Sequence, residues 1–121
     1  MRILFRTDAS VALGTGHVMR CLAVAQAMQS TGGEAVLVSA ELPEGLANRL
    51  QAEGVQVRRL TAERPSSVEA ERTLSLAAEW SADTIVLDGR DFDSNYQSTL
   101  KATGKPLVVI DDEGQPDNES A

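Results

Sequence analysis

The sequence has a single cysteine, Cys21, so no disulfide can form within the chain. Cys21 stands among apolar residues of a predicted helix, which favours a buried, inert thiol. No apolar run approaches the ~20 residues that a membrane-spanning helix requires. The chain starts directly in an apolar strand pattern rather than in a secretory signal. Together these absences predict a cytoplasmic protein.

Clusters of basic residues are also missing, and the formal net charge is −7. A nucleic-acid surface needs grouped lysine and arginine side chains, and an anionic membrane repels a chain of this charge. Neither nucleic acid nor a membrane is therefore expected as a partner. Small molecules that carry phosphate stay compatible with the charge, because backbone amides at a helix N-terminus bind anions locally.

The composition of the 121 residues is that of one globular domain, with 42% hydrophobic and 24% charged residues. A chain of this length can bury one core without disulfides or a structural metal. We expect the domain to span residues 1–112. The remaining segment, 113–121, is a polar tail.

Five short apolar runs alternate with four helical patterns. Continuous runs rich in β-branched residues are typical of parallel strands that are buried on both faces. The order βαβαβαβαβ therefore predicts a Rossmann-like α/β fold, with an open parallel sheet in the order 3-2-1-4-5 and helices on both faces. The runs are Ile3–Phe5, Ala35–Val38, Val55–Val57 with Leu60, Ile85–Leu87 and Leu107–Ile110.

Two of the helical patterns carry the signature of a capping box, in which a serine is followed three residues later by glutamate or glutamine. Ser66 and Glu69 form one such pair, and Ser94 and Gln97 form the other. Both pairs predict the start of a helix.

Polar and glycine residues follow strands 1, 4 and 5. In an open parallel sheet, ligands bind at the carboxyl ends of the strands beside the point where the strand order reverses. We therefore expect Asp8, His17, Asp88 and Asp111 to surround one cleft. The complete groups are Asp8 with Gly14-Thr15-Gly16-His17, Asp88 with Gly89 and Arg90, and Asp111 with Asp112.

The glycine loop matches only the first half of a dinucleotide fingerprint, because Met19 stands at the third glycine position. A plain glycine turn before a helix fits equally well. A phosphate-binding P-loop is excluded, since no Gly-Lys-Ser/Thr follows. Two adjacent carboxylates, those of Asp111 and Asp112, are insufficient evidence for a metal site. We expect no cofactor and no metal.

His17 is the only histidine and lies in the first turn of the predicted helix 1. A helix N-terminus disfavours the imidazolium form, which keeps the ring able to accept a proton near pH 7. A histidine that only caps the helix fits the local sequence as well. Arg20, one turn on, is placed to pair with a carboxylate such as Asp8, to bind a ligand phosphate, or to stay at the surface. Asp88 is equally placed to cap the segment that follows it.

The chain resembles the UDP-sugar hydrolases of pseudaminic acid synthesis and the related polysaccharide-biosynthesis proteins of the spore-coat type. The residues that carry the resemblance are Met1-Arg-Ile-Leu-Phe-Arg-Thr-Asp8, Gly14-Thr-Gly-His-Val-Met-Arg-Cys-Leu22, Glu41-Leu42-Pro43, Leu87-Asp88-Gly89 and Val109-Ile110-Asp111-Asp112. The likeness extends over nearly the whole chain.

That resemblance implies the first of two Rossmann-like domains of a glycosyltransferase-B type fold. It implies that His17 is the general base, which activates water for attack on the anomeric carbon of a UDP-sugar. The sugar is expected against Gly14, Thr15 and Gly16. The uridine is expected in a second domain. Substrate-binding residues are also expected among Asp8, Arg20, Asp88, Arg90 and Asp111.

Family members often carry a tyrosine where this sequence has Arg90, which argues against the altropyranose substrate. A non-catalytic half domain that binds a phosphate, a sugar or a protein partner is the alternative. A plain dinucleotide-binding domain is disfavoured by the missing third glycine. The apolar, uncharged strand 5 also predicts a homodimer through the edge of the sheet, unless further chain covers it.

Overall fold

In a computed structural model of the chain, the described residues are 1–9, 15–61, 66–89 and 92–110. They form five strands and four helices in strict alternation. The elements are β1 (Arg2–Arg6), α1 (Gly16–Gln29), β2 (Glu34–Ser39), α2 (Glu44–Ala52), β3 (Gln56–Arg59), α3 (Ser66–Trp80), β4 (Thr84–Asp88), α4 (Ser94–Lys101) and β5 (Leu107–Ile110).

The strands form one parallel sheet in the order β3-β2-β1-β4-β5, which confirms the predicted topology. Leu4 of β1 is paired with Val36 on one side and with Ile85 on the other. All three side chains are buried. The central strands are apolar without alternation because helices cover both of their faces.

Two separate hydrophobic cores lie on the two faces of the sheet. The core under α1 and α2 takes Ile3 and Phe5 from β1. The core under α3 and α4 takes Leu4 from the same strand. The helices are therefore distributed as right-handed crossovers require, and every second residue of a strand points to the same face.

The start of α4 differs from the capping box that the sequence predicts. Asp93, not Ser94, is the N-cap of α4, and its side chain accepts a hydrogen bond from the Tyr96 amide at 2.9 Å. Gln97 instead donates to the Phe92 carbonyl. In the first turns of α3, the Glu69 carboxylate binds Arg6 and so joins the helix to the sheet, whereas the side chain of Ser66, the other member of the predicted capping box, lies outside the described part of the chain. Within the described residues, no helix combines the length and the apolar character of a transmembrane span.

Candidate functional site

The carboxylate of Asp88 is the centre of a polar cluster at the carboxyl end of β4. Its side chain is fully buried and turned toward α1. The Arg20 guanidinium binds both carboxylate oxygens, with Nε 2.8 Å from Oδ2 and Nη2 against Oδ1. The ring Nδ1 of His17 lies 2.7 Å from Oδ1. The structure thus brings together His17 and Asp88, two residues that the sequence assigns to one cleft.

The contact with Asp88 determines which ring nitrogen of a neutral His17 carries the proton. A carboxylate can only accept, so Nδ1 is the donor and the lone pair stays on Nε2. Arg20 Nη2 lies 3.2 Å from His17 Nδ1, as expected of two donors that share one acceptor oxygen. This arrangement of carboxylate and imidazole orients a histidine for proton transfer at Nε2.

Helix α1 places these side chains because residues three apart lie on the same helix face. His17 lies in the first turn, as predicted, and Arg20 follows one turn later. Cys21 is buried beside them, with Sγ 3.6 Å from Asp88 Oδ2. Burial raises the pKa of the Cys21 thiol, and the negative charge of Asp88 raises it further. The thiol is therefore protonated, which fits the inert core cysteine that the sequence predicts.

A second polar cluster surrounds Arg6, the last residue of β1, on the opposite face of the sheet. The Arg6 side chain is only 1% exposed. Its Nη1 lies 2.6 Å from Asp8 Oδ1, and its Nη2 lies 2.6 Å from Glu69 Oε1 on α3. Its Nε donates to the Tyr96 hydroxyl of α4 at 3.2 Å. One guanidinium thus joins β1 to both helices of this face.

The ionised forms of Arg6 and Asp8 stabilise each other. Burial alone acts to lower the pKa of Arg6, but the neighbouring carboxylates, Asp8 foremost, raise it above its ordinary value. Burial likewise acts to raise the pKa of Asp8, but the charge and hydrogen bond of Arg6 lower it below the usual range. Burial raises the pKa of Tyr96, so its hydroxyl stays neutral. Arg6 and Asp8 are therefore both ionised near neutral pH.

Asp8 ties the end of β1 to the end of β2. Its Oδ1 accepts from the Ser39 hydroxyl at 2.9 Å and from the amides of Ala40 and Glu41 at 2.8 and 3.2 Å. The carboxylate that Arg20 binds in this structure is that of Asp88, not Asp8.

The other predicted site residues divide into described and undescribed positions. Thr15 and Gly16 are exposed at the N-terminus of α1, and the Thr15 carbonyl accepts from the Met19 amide at 2.9 Å. Gly14, Arg90 and Asp111 lie outside the described residues. Among the described residues, no group of three or more His, Cys, Asp and Glu side chains is arranged to hold a metal.

Sequence reasoning missed the cluster around Arg6. The available signal was an arginine that directly follows the apolar run Ile3–Phe5, at a position buried by the predicted helices. A buried arginine requires carboxylate partners. Glu69 and Tyr96, one turn into α3 and near the start of α4, were therefore partners that the topology made available.

The fold and its carboxyl-edge site define the class of the molecule. It is a Rossmann-like α/β domain that resembles one half of a glycosyltransferase-B type fold. A glycosyltransferase from Rickettsia africae ESF-5 superposes with a TM-score of 0.68 at 17% identity, over 89% of this chain and 28% of that one. MurG from Acinetobacter baumannii superposes with a TM-score of 0.63 at 15% identity, over 89% of this chain and 33% of that one.

The chain thus spans about a third or less of the length of these two proteins. No family model matches the sequence, and no curated protein matches it. The resemblance to UDP-sugar hydrolases accordingly stays a prediction, while the Rossmann-like fold and its likeness to one half of a glycosyltransferase-B type fold are confirmed.

Proposed function

We propose that this chain is the acceptor-side domain of a nucleotide-sugar hydrolase or a related glycosyltransferase-like protein, with His17 as its general base. The observation that carries the proposal is the 2.7 Å contact between His17 Nδ1 and Asp88 Oδ1, in the first turn of a helix at the carboxyl edge of the sheet. That edge is where open parallel sheets bind their ligands.

In the proposed reaction, His17 Nε2 removes a proton from water as the water oxygen attacks the anomeric carbon. The bond from that carbon to the phosphate oxygen breaks, UDP leaves with the electron pair, and the sugar gains a hydroxyl. Asp88 keeps Nδ1 protonated and stabilises the imidazolium that forms. General-base assistance of this kind supplies ~10²–10⁴-fold of rate acceleration.

Arg20 has a supporting role in the proposed mechanism. Its guanidinium holds the Asp88 carboxylate in position, and that carboxylate in turn orients the imidazole of His17. Asp88 accepts from both side chains, so its position is determined by two independent contacts. Arg20 thereby acts on His17 through Asp88. We also propose that Arg20, Thr15 or Gly16 contacts the sugar or the phosphate directly, whereas Asp8, whose carboxylate is bound by Arg6 on the other face of the sheet, is not part of the proposed site.

The uridine and much of the diphosphate would be held by a second domain, which fits the share of the glycosyltransferase chains that this domain covers. Positioning by both halves of a cleft contributes ~7–11 kcal/mol of barrier lowering. We therefore expect weak substrate binding and poor or undetectable turnover by these 121 residues alone. Localisation in the cytoplasm is part of the same proposal.

The test is a titration of the chain with a UDP-linked N-acetylated amino sugar, followed through the ring nitrogens of its single histidine by NMR. Release of UDP is measured in the same samples. We expect the His17 signals to shift with added UDP-sugar. We expect any UDP release to disappear in His17→Gln and to persist in Asp83→Asn, a matched change at an exposed aspartate that contacts the Arg2 amide.

The outcomes separate the two candidate functions. Binding with UDP release that depends on His17 supports the hydrolase. Binding without release, also in a longer chain that carries a second domain, supports a non-catalytic sugar- or phosphate-binding module. UDP release that survives in His17→Gln, or His17 signals that do not respond to the UDP-sugar, contradicts the assignment of this site.

A further inference from the structure

The end of β1 is joined to both neighbouring strands through one residue, Thr7. Its amide donates to the Val38 carbonyl of β2 at 3.2 Å. On the other side, its side-chain hydroxyl donates to the main-chain carbonyl of Asp88 on β4 at 2.9 Å. Thr7 is 0% exposed, so both bonds are shielded from water. The main chain of the residue that binds His17 is therefore itself held by a side chain of β1.

The Thr7 hydroxyl bonds to β4 at the point where the regular pairing of the two strands ends. The last paired residues of β1 and β4 are Arg6 and Leu87. Asp88 lies one residue beyond that pair, although it still pairs with Ile110 of β5. The hydroxyl supplies the link to β1 at this position, so the main chain of Asp88 is fixed on both sides.

Thr7 lies on the face of the sheet that carries the cluster around His17. It continues the alternation of Phe5, which belongs to the core under α1, and Asp88 continues the face of Val86 in the same core. A threonine combines a donor with a branched Cβ, and the branch restricts χ1, which keeps the hydroxyl aimed at one acceptor. Serine has the donor without this restriction, whereas valine has the branch without the donor.

We propose that Thr7 is a positioning residue for the general base His17 and that it acts through the main chain of Asp88. The Thr7 hydroxyl sets where β4 ends relative to β1, and thereby where the Asp88 carboxylate stands relative to the first turn of α1. His17 Nδ1 lies 2.7 Å from that carboxylate. Hydrogen bonds weaken steeply when their geometry departs from the optimum, so a displaced carboxylate would select the tautomer of His17 less strongly. The catalytic meaning of this role rests on the proposed function.

Thr7 and Arg20 hold Asp88 at different atoms. Arg20 binds the carboxylate oxygens from α1, whereas Thr7 binds the main-chain carbonyl from β1. Arg20 thus opposes rotation of the carboxylate, and Thr7 opposes movement of the strand end that carries it. The two contacts restrain different motions, and the orientation of His17 depends on both.

The experiment measures the ratio of the two neutral tautomers of His17, the only imidazole of the chain, by ¹⁵N NMR without substrate. We expect Thr7→Val to shift this ratio toward the tautomer with the proton on Nε2 by at least about twofold, the lower end of the coupling within one hydrogen-bond network. Thr7→Ser keeps the donor and should retain most of the native ratio. In the Asp88→Asn background, Thr7→Val should shift the ratio much less, because Thr7 acts through that carboxylate.

Thr73→Val is the matched control. Thr73 is also 0% exposed, and its hydroxyl lies 2.9 Å from the Tyr96 hydroxyl on the opposite face of the sheet. This variant loses a buried hydrogen bond of the same kind but keeps the link between Thr7 and Asp88. We expect lower stability in both valine variants and a shifted tautomer ratio in Thr7→Val alone.

A further measurement on the native chain does not depend on the folding of Thr7→Val. The hydroxyl proton of Thr7 is buried and hydrogen-bonded, so it should exchange with water slowly enough to give its own NMR signal. A Thr7 hydroxyl without such protection would overturn the proposal.

The other outcomes separate this proposal from the proposed function. A native tautomer ratio in Thr7→Val, beside a changed ratio in Asp88→Asn, would overturn the role of Thr7 and leave the function of His17 standing. An equal shift in Thr73→Val would also overturn it, because the ratio would then report a general loosening of the fold. An unchanged ratio in both Thr7→Val and Asp88→Asn would contradict the orientation of His17 by Asp88 as well. UDP release that survives in His17→Gln would instead contradict the function alone, and the tautomer ratios would still decide whether Thr7 orients the ring.

Discussion

Asp8 lies two residues beyond β1 and Asp88 is the last residue of the adjacent parallel strand β4, yet their carboxylates are bound on opposite faces of the sheet. Asp88 is held by His17 and Arg20 of α1. Asp8 is held by Arg6, whose other partners belong to α3 and α4. The ends of the two strands are joined directly, since the Thr7 hydroxyl donates to the Asp88 carbonyl at 2.9 Å. The carboxyl edge therefore has two clusters with different roles: one presents an imidazole, and the other fastens the helices to the sheet.

Replacing Asp88 with Asn should change the tautomer of His17. Of the two neutral tautomers of His17, the carboxylate selects the one with the proton on Nδ1, and we expect this tautomer to exceed the other in the ¹⁵N spectrum of the only imidazole. Asp88→Asn replaces the charged acceptor of Nδ1 with a neutral amide, so the tautomer with the proton on Nε2 should gain population. Asp83→Asn is the control and should leave the spectrum unchanged. An unchanged tautomer in Asp88→Asn would show that this contact does not orient the ring.

Replacing Arg6 with Met should destabilise the fold strongly. The change leaves two nearly buried carboxylates, Asp8 and Glu69, without their cation. Removing one partner of a buried ion pair costs about 3–5 kcal/mol of unfolding free energy. Urea unfolding followed by circular dichroism would measure the loss.

Arg59→Met is the matched control for that measurement. Arg59 pairs with Glu44, and the two side chains are 45% and 80% exposed. Exposed pairs of this kind contribute up to about 1 kcal/mol. Equal losses in the Arg6 and Arg59 variants would contradict a structural role for the buried cluster.

The strand order and the proximity of His17 to Asp88 were predictable, because both depend on patterns that the sequence shows directly. Apolar runs alternate with helical periods, and the order of a doubly wound sheet determines which strand ends are neighbours. Whether the side chains of Asp8 and Asp88 lie on the same face of the sheet depends on a finer property. It depends on which residues of each strand point to which face. Asp8 continues the face of Leu4 and Arg6, whereas Asp88 continues the face of Val86. A shift of one residue reverses the face, and sequence patterns place element ends less accurately than that.

The partners of Arg6 were missed for a related reason. Its partner Glu69 has the spacing of a capping box with Ser66, and this local pattern gives no sign that the carboxylate also binds an arginine of the sheet. That contact is tertiary, so the local sequence alone does not indicate it.

The contribution of Asp8 to stability should depend on pH. Its pKa is lowered in the folded state, because the charge and hydrogen bond of Arg6 outweigh the opposing effect of burial. Because the pKa of Asp8 is lower in the folded state, Asp8 makes its full contribution to stability at a pH above its unfolded-state pKa of about 3.9. That contribution is lost as the pH falls through the lower pKa of the folded state. The difference in unfolding free energy between the native chain and Asp8→Asn should therefore be largest near neutral pH and should shrink in acid.

Urea unfolding of both proteins across the acid range measures this difference directly. The other carboxylates titrate alike in both proteins, so their effects cancel in the difference. Glu41→Gln is the control, since the Glu41 side chain is exposed. A difference that grows as the pH falls would reverse the sign and contradict the ionised pair of Arg6 and Asp8.

Cys21 should react very slowly with a thiolate-directed reagent in the folded chain. Burial and the neighbouring charge of Asp88 both raise the pKa of its thiol, and the sulfur lies beneath the site. We expect labelling at least roughly a hundredfold slower than in urea, which corresponds to about 3 kcal/mol for the opening that exposes the thiol. Asp88→Asn should accelerate labelling in the absence of urea, because it removes the nearby negative charge and loosens the contacts of α1 with β4. Asp83→Asn should not accelerate it. If the native thiol reacted as fast as the unfolded one, α1 would not be packed on the sheet at this position, and the site built on its first two turns would lose its structural basis.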